Sequence, residues 1–315
     1  MTVSDLSVTA KYINPYTDFG FKTLFGEEAN KELLVDFLNQ LLPQKHHIVN
    51  LTFKNPEKLG ALKNDRKAIF DIYCENKKGG KFIVEMQKAK IKYFKDRSVF
   101  YTTFPIKEQA EKGEWNFHLK PVYCVAILDF TFDEKRKYKN FLSKVQLKDQ
   151  YCRVFYDKLT YIFIEMPLFK KKENELNTHF EKWLYFLKNL ENFETIPQIL
   201  QEPIFMKGFE VAELANFDEG QLTEYEESLK VYRDFNCALD HSIEEGWKKG
   251  RREGKKEGLK EGLKEGLKEG LKKGKLEEKI ETAERMLTDG FTVDQVIKYT
   301  GLTQMEISDL LKKEV

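Results

Sequence analysis

Two acidic side chains interrupt a pair of short apolar runs in the first third of the chain. Asp71 lies in the run Ala68 to Cys74, and Glu85 lies in the run Phe82 to Gln87. The segment between the runs contains an asparagine and two glycines, which is typical of a hairpin turn. With the turn centred near Lys78, the antiparallel register places Asp71 directly opposite Glu85.

The opposed carboxylates predict a need for a cation. Directly opposed side chains have Cβ atoms roughly 4.5–5.5 Å apart, and like charges at that distance are destabilising. Because side chains alternate along a strand, Gln87 shares the face of Glu85. A hard divalent ion such as Mg²⁺ suits two acidic oxygens when a substrate supplies phosphate oxygens. Two simpler interpretations stay open, namely that both acids face solvent or that the register is shifted by one residue.

Other segments are predicted to position this hairpin. Ala29 to Leu42 spaces its leucines for one face of an amphipathic helix, which Pro43 ends. Pro121 to Phe130 is an almost continuous apolar run, typical of a buried central strand. Three further elements are predicted, which are a helix over 91–112 disturbed at Pro105, a strand over 158–166 and mostly helix over 172–240.

The composition indicates a folded protein with room for one large or two ordinary domains. The 315 residues are 41% hydrophobic and 33% charged, and 53 basic against 52 acidic residues leave a net charge of +1. The four cysteines lie far apart, so neither a disulfide framework nor a structural zinc site is expected. The longest apolar run, Val122 to Leu128, is far too short to span a membrane. We therefore expect a cytoplasmic protein.

A low-complexity repeat follows the aromatic-rich body. Glycine recurs every four residues from Gly246 to Gly274, and leucine follows it at 259, 263, 267 and 271. Between Lys248 and Lys275 there are twelve basic and five acidic residues, a local charge of +7. We predict three parts, which are a body over 1–240, a linker helix over 241–275 and a tail over 276–315. The repeat is expected either to mediate self-association and DNA retention or to act as a solvated spacer.

The tail has the pattern of a small helix-turn-helix unit. One helix is predicted to end at Gly290, a second to start at Thr292, and a third to run from Gln304 to Lys313. A docking or dimerisation role and a DNA-reading role both stay open, because the third helix has few residues that read base edges. The predicted core consists of Val293, Val296, Ile297, Leu302, Ile307, Leu310 and Leu311.

These motifs together resemble a known family. The stretch Asn14 to Gly26 (NPYTDFGFKTLFG), the leucine-rich helix, the hairpin end Val84 to Gln87 (VEMQ) and Arg97 to Tyr101 (RSVFY) follow one another in order. This order resembles the Rpn family, described as recombination-promoting nucleases or transposases, within the PD-(D/E)XK nuclease superfamily. The similarity covers about residues 12 to 165.

The resemblance implies a restriction-endonuclease-like α/β fold, with a mixed four-stranded sheet flanked by helices and a helical C-terminal tail. It also implies a DNA endonuclease that depends on Mg²⁺ or on another divalent cation such as Mn²⁺. By position, Asp71 and Glu85 are expected to ligate the metal, the Met86 carbonyl to add a ligand, and Gln87 to orient the attacking water.

Four further residues carry an expected role and a simpler alternative. Asp18 is expected to be a catalytic acid or, equally, a helix N-cap. Lys22 is expected to contact phosphate or to be an ordinary surface lysine. Arg97 and Tyr101 are four residues apart on a predicted helix, so they suit a phosphate clamp or packing against the sheet edge. The aromatic residues around them, Tyr93, Phe94, Phe100 and Phe104, are predicted to be core.

One departure from the family pattern bears on activity. Gln87 stands where the superfamily has a lysine, and a neutral amide forms hydrogen bonds but supplies no charge. Lys88, Lys90 or Arg97 is a candidate source of the missing charge. The departure supports an alternative hypothesis of a catalytically weak DNA-binding or interaction protein that retains the nuclease fold. A third hypothesis is a scaffold in which the repeat and tail are the functional part.

Overall fold

The fold is described from a computed structural model, which covers residues 10–58, 68–90, 92–110, 113–131 and 140–313. Two compact units divide the chain, Met1–Phe235 and Asn236–Val315. The candidate site lies in the first unit, so that unit is described first.

A mixed six-stranded sheet forms the centre of the first unit. In spatial order its strands are β1 (Leu51–Phe53), β4 (Ile72–Asn76), β5 (Lys81–Gln87), β6 (Val122–Leu128), β8 (Val154–Glu165) and β7 (Leu142–Lys148). The three strands β5, β6 and β8 are parallel, and the outer pairings are antiparallel. A separate small ladder pairs β2 (Glu57–Lys58) with β3 (Ala68–Ile69).

The sheet confirms the α/β prediction and corrects its strand count. All seven residues of β6 are buried, as expected for a central strand. The resemblance implied four strands, whereas the described sheet has six. Strand β7 was missed because its sequence, LSKVQLK, is half exposed at the sheet edge and contains no apolar run. Strand β8 begins four residues before the predicted strand, in a stretch that is also largely exposed.

One face of the sheet packs against a layer of helices. These are α1 (Asp18–Phe25), α2 (Lys31–Asn39), α4 (His179–Asn189), α5 (Pro203–Ala212) and the first turns of α6 (Glu219–Thr288). Large buried rings on these helices pack against one another within this layer, including Phe25, Phe37, Trp183, Phe186 and Phe205. Each such ring stabilises the fold by roughly 1.5–3 kcal/mol through burial, so this layer fixes where α1 lies relative to the sheet.

Helix α3 (Phe94–Lys107) covers the other face. Strand alternation sends Tyr73, Ile83 and Cys124 to this side, where Phe94 and Phe104 of α3 pack nearby. The helix includes Pro105 without ending there, and its described part is shorter than predicted. The core prediction is wrong for Tyr93 and Phe100, which are 63% and 42% exposed because they lie away from the sheet.

The second unit contains the repeat and the tail. The repeat lies within the continuous helix α6, which is followed by α7 (Val293–Thr300) and α8 (Gln304–Lys313). Gly301 ends α7 with a φ of 66°, a left-handed conformation that favours glycine. The three predicted tail helices are confirmed. Their fully buried core is Ala283, Val296, Leu302 and Ile307, whereas Val293 and Leu311 are exposed.

Candidate active site

The hairpin of β4 and β5 brings the two predicted carboxylates together. Its register pairs Ile72 with Val84, as the sequence predicted. Asp71 lies just before β4, and its backbone N–H donates to Glu85 Oε1 at 3.3 Å. The Met86 N–H donates to Asp71 Oδ2 at 2.7 Å. Both acids therefore lie at the end of the hairpin away from its turn, and both side chains accept hydrogen bonds from backbone N–H groups.

Burial and mutual repulsion make these acids weak. Only 5% of Glu85 is exposed, and burial followed by the charge of Asp71 raises the pKa of Glu85 to about 8. Burial also raises the pKa of the Asp71 carboxyl, although the hydrogen bond from the Met86 N–H opposes this. The pair therefore resists carrying two negative charges at neutral pH unless a cation is nearby.

Arg97 supplies a positive charge to this pair from α3. Its Nη2 lies 3.3 Å from Glu85 Oε2 and donates to Gln87 Oε1 at 2.5 Å. The guanidinium carbon lies 5.1 Å from the centre of the Tyr101 ring, a cation–π contact. Of the three candidate cations, Arg97 is therefore in contact with the Gln87 amide. The predicted shared face of Arg97 and Tyr101 is confirmed.

The Gln87 amide is held at both ends. Its oxygen accepts from Arg97, and its nitrogen donates to the Ala89 carbonyl at 3.2 Å. The side chain is half-buried on the α3 side of β5, which is the same face as Glu85. Gln87 and Arg97 consequently form one hydrogen-bonded unit next to the carboxylates.

Helix α1 carries two charged residues, Asp18 and Lys22, that act on Asp71. Thr17 is its N-cap, since Thr17 Oγ1 accepts from the Gly20 N–H at 2.9 Å. Asp18 is the first residue of the helix, so its interpretation as the cap is wrong by one residue. It forms an exposed ion pair of 2.9 Å with Lys22. The charge of Asp18 raises the pKa of Asp71 and that of Lys22 lowers it, so both lie within electrostatic range of the hairpin.

A second polar group lies at the ends of β5 and β6. The Asp129 N–H donates to the Gln87 carbonyl at 3.0 Å, and the Tyr232 hydroxyl donates to Asp129 Oδ2 at 3.4 Å. Lys88 is half-buried, with its Nζ 5.6 Å from the centre of the Tyr232 ring. Burial lowers the pKa of Lys88, whereas the charges of Asp18 and Asp71 raise it.

Sequence reasoning missed Asp129 and Tyr232 as neighbours of the site. Asp129 directly follows the central apolar strand, and this position was the available signal because carboxyl ends of adjacent parallel strands meet at one edge. Tyr232 lies about a hundred residues further along the chain. No local pattern indicates its contact with Asp129.

The chemistry of the site fits a divalent cation with few protein ligands. The half-buried carboxylate of Asp71 and the buried carboxylate of Glu85 offer hard oxygen donors, and Arg97 contributes a single positive charge toward them. Among the described residues, no group of three or more histidine, cysteine, aspartate or glutamate side chains is arranged to hold a metal. A pair of carboxylates suits Mg²⁺, which is commonly held by one or two carboxylates plus waters and substrate phosphates.

Comparison with known families agrees with this geometry. A family model described as a PD-(D/E)XK nuclease family transposase matches residues 15–242. The chain belongs to this PD-(D/E)XK nuclease family of transposases. The match covers most of the chain, from just before α1 to just before the repeat, and it confirms the predicted resemblance. Searches of curated proteins and of solved structures found no match.

Membership gives the site a chemical context. PD-(D/E)XK nucleases generally use divalent metal ions, and the six-stranded mixed sheet flanked by helices is consistent with a restriction-endonuclease-like fold. The assignment of Asp71, Glu85 and Gln87 to the superfamily's D…(D/E)-x-K pattern stays a prediction from the sequence. No described helix is long and apolar enough to cross a membrane.

Proposed function

We propose that this protein is a metal-dependent DNA endonuclease that hydrolyses phosphodiester bonds. The observation that carries the proposal is the adjacent pair of half-buried Asp71 and buried Glu85, whose pKa values are raised mainly by burial even with Arg97 3.3 Å from Glu85. Asp71, Glu85 and the Met86 carbonyl would hold the cation, with Mg²⁺ or Mn²⁺ as the expected occupant. When bound, the ion supplies Lewis-acid activation of the phosphate and of a water.

The remaining roles belong to the protein's own side chains. Gln87 orients the attacking water through its amide, and Arg97 holds that amide in place by the 2.5 Å hydrogen bond. The guanidinium of Arg97 also stabilises negative charge that develops on the phosphate, the task assigned elsewhere in the superfamily to lysine. In hydrolysis, the attacking water gives up a proton to solvent as its oxygen bonds to phosphorus, the bridging P–O bond breaks, and the leaving oxygen takes up a proton from solvent.

The other predicted site residues are given roles in contacting the DNA and in orienting the residues that contact it. Lys22 and the Arg97–Tyr101 pair are proposed to contact DNA phosphates on the open side of the hairpin. Asp18 is proposed to orient Lys22 through their 2.9 Å ion pair. This gives Asp18 a part in positioning a phosphate contact, in place of the cap role that belongs to Thr17.

The alternative function is a catalytically weak DNA-binding or interaction protein that retains the fold. The neutral Gln87 favours this alternative, because removing a charge from the water-activating position lowers its ability to stabilise an anion. Under this alternative the carboxylate pair and the basic residues would bind nucleic acid without efficient cleavage.

We also propose that the repeat and tail form the region of self-association and DNA retention, separate from the body over 1–240. The local charge of +7 and the exposed leucines of the repeat support this assignment, since Leu259 and Leu263 are each 75% exposed. Exposed apolar rows beside basic residues are suited to contact other macromolecules.

The decisive experiment is a plasmid-nicking assay in Mg²⁺ with the wild type beside Asp71→Asn and Glu85→Gln. Both variants keep the shape of the side chain and one acceptor oxygen, so they should remain folded while losing nicking. Glu75→Gln is a matched control, since Glu75 lies toward the turn of the same hairpin and pairs with Lys81 at 3.2 Å. Wild-type nicking by either site variant would refute the metal site, and DNA binding without nicking by the wild type would favour the alternative.

A further inference from the structure

A lysine-rich groove lies on the first unit, away from the carboxylate pair. It encloses about 880 Å³ between the chain segment after β8 and the C-terminal half of α4. Four lysines and one glutamate line it, together with neutral amide side chains. We call it the lysine groove and define it by Lys170, Lys171, Lys172 and Lys188.

The lysines of this groove differ in the contacts that they already make within the protein. Lys188 donates to the backbone carbonyls of Phe169 and Met166, which ties the segment after β8 to α4. Lys171 forms a 2.6 Å ion pair with Glu181. Lys170 and Lys172 are exposed, and burial, followed by a smaller effect of the Lys170 charge, lowers the pKa of Lys188, so positive charges lie close together there.

The sheet topology places this groove beyond the same sheet edge as the candidate active site, with the groove on the α4 face and the Glu85 and Gln87 side chains on the α3 face. Strands β5, β6 and β8 are adjacent and parallel, and their registers align Gln87 with Leu128 and Leu128 with Glu165. The carboxyl ends of all three strands therefore meet at one edge, where ligands of open α/β sheets commonly bind. At roughly 4.8 Å per strand, the ends of β5 and β8 are about 10 Å apart.

Asp129 interacts with residues of both the candidate active site and the lysine groove. The Asp129 N–H donates to the Gln87 carbonyl, and the charge of Asp129 raises the pKa of Lys188. Asp129 thus lies within electrostatic range of the groove while bonded to the strand that carries Glu85. A nucleic-acid strand rises about 3.4 Å per nucleotide, so about three nucleotides would span the distance between the two strand ends.

We propose that the lysine groove binds the phosphodiester backbone of the DNA, a few nucleotides away from the phosphate held at Asp71 and Glu85. This inference rests on the proposed nuclease function and extends it by naming a surface that holds the substrate strand. Lys170 and Lys172 make the phosphate contacts, and Lys188 positions the segment that carries them. A nucleic acid is favoured over other polyanions because the groove shares an edge with a site suited to phosphate chemistry.

The test is a DNA-binding titration of the full chain without divalent metal, so that binding is measured apart from cleavage. The probe is a short labelled DNA duplex, and the dissociation constant is measured at several salt concentrations. The test variant is the double substitution Lys170→Ala and Lys172→Ala. The matched control is Lys77→Ala with Lys78→Ala, which removes the same charge from the exposed hairpin turn at the opposite end of β5.

The expected result is weaker binding and a salt dependence shallower by about 2 in the log–log slope, because two fewer phosphates are neutralised. The control should keep the wild-type slope. The double substitution Lys170→Arg and Lys172→Arg should bind DNA as the wild type does, because both positive charges remain. A wild-type slope in the test variant, or an equal reduction in the control, would overturn the assignment. Failure of the nuclease proposal appears separately, as absence of nicking by the wild type in Mg²⁺.

Discussion

Arg97 Nη2 lies 2.5 Å from Gln87 Oε1, so the strand residue that lacks a charge is hydrogen-bonded to a cation from the neighbouring helix. The same nitrogen lies 3.3 Å from Glu85 Oε2. The positive charge that the superfamily pattern places on the strand is thus available from α3. Under the proposed function, this arrangement would supply the positive charge that the neutral amide of Gln87 lacks.

Replacing Arg97 with alanine should abolish nicking and destabilise the metal-free protein. The change removes a cation that touches a buried carboxylate and frees the Gln87 amide, which costs about 1–3 kcal/mol for a charged hydrogen bond at a partly exposed arginine. Arg97→Lys should retain part of the activity, because a charge remains but not the guanidinium geometry. Nicking and chemical denaturation measure the two effects, and undiminished nicking by Arg97→Ala would exclude a catalytic role.

Substitutions of Gln87 test whether the amide and the arginine act together. Gln87→Leu should reduce nicking, since it removes both the water-orienting amide and the partner of Arg97. Gln87→Lys alone places two cations side by side, whereas Gln87→Lys with Arg97→Gln exchanges the charge and the amide. We expect the exchanged protein to nick DNA better than Arg97→Gln alone. Equal rates in all these proteins would show that neither side chain approaches the reacting water.

The stability of the metal-free protein should depend on pH through Glu85. Its ordinary pKa of 4.5 rises to about 8 on folding, so the folded state binds this proton more tightly than the unfolded state does. The resulting stabilisation is complete below pH 4.5 and is lost as the pH rises through about 8. Relative to Glu85→Gln, the wild type in chelator should lose on the order of a few kcal/mol across this window.

Denaturation curves at several pH values measure this dependence, and added Mg²⁺ provides a second comparison. Because the cation favours the ionised pair, Mg²⁺ should stabilise the wild type most near pH 8 and have little effect on Glu85→Gln. Parallel pH profiles for the two proteins in chelator would contradict the conclusion that burial raises the pKa of Glu85.

Removal of the chain after Asp240 should weaken DNA binding without abolishing DNA cleavage. The truncated protein keeps Tyr225, Leu229 and Tyr232, which pack on the first unit. It should therefore fold and nick DNA, but bind DNA more weakly and with a shallower salt dependence, because the +7 segment is absent. Loss of nicking by the folded truncation would refute this division of roles, and an unchanged salt slope would make the repeat a spacer.

Local sequence determined the hairpin and its acids. Asp71 and Glu85 are separated by one turn, and the strand alternation that places Glu85 and Gln87 on one face depends only on neighbouring residues. The buried strand β6 and the tail helices were likewise predictable, because their apolar periodicity is continuous.

Tertiary packing decided what surrounds those acids. The contact of Arg97 with Gln87 depends on how α3 lies across the sheet, and the approach of Asp18 to Asp71 depends on the aromatic layer that holds α1. The bond from Tyr232 to Asp129 joins residues about a hundred positions apart. Such contacts arise from the packing of whole elements, which residue spacing along the chain does not encode. A hydrophobic pattern shows which face of a helix is buried, but the partner across that face is chosen only when all the elements pack together.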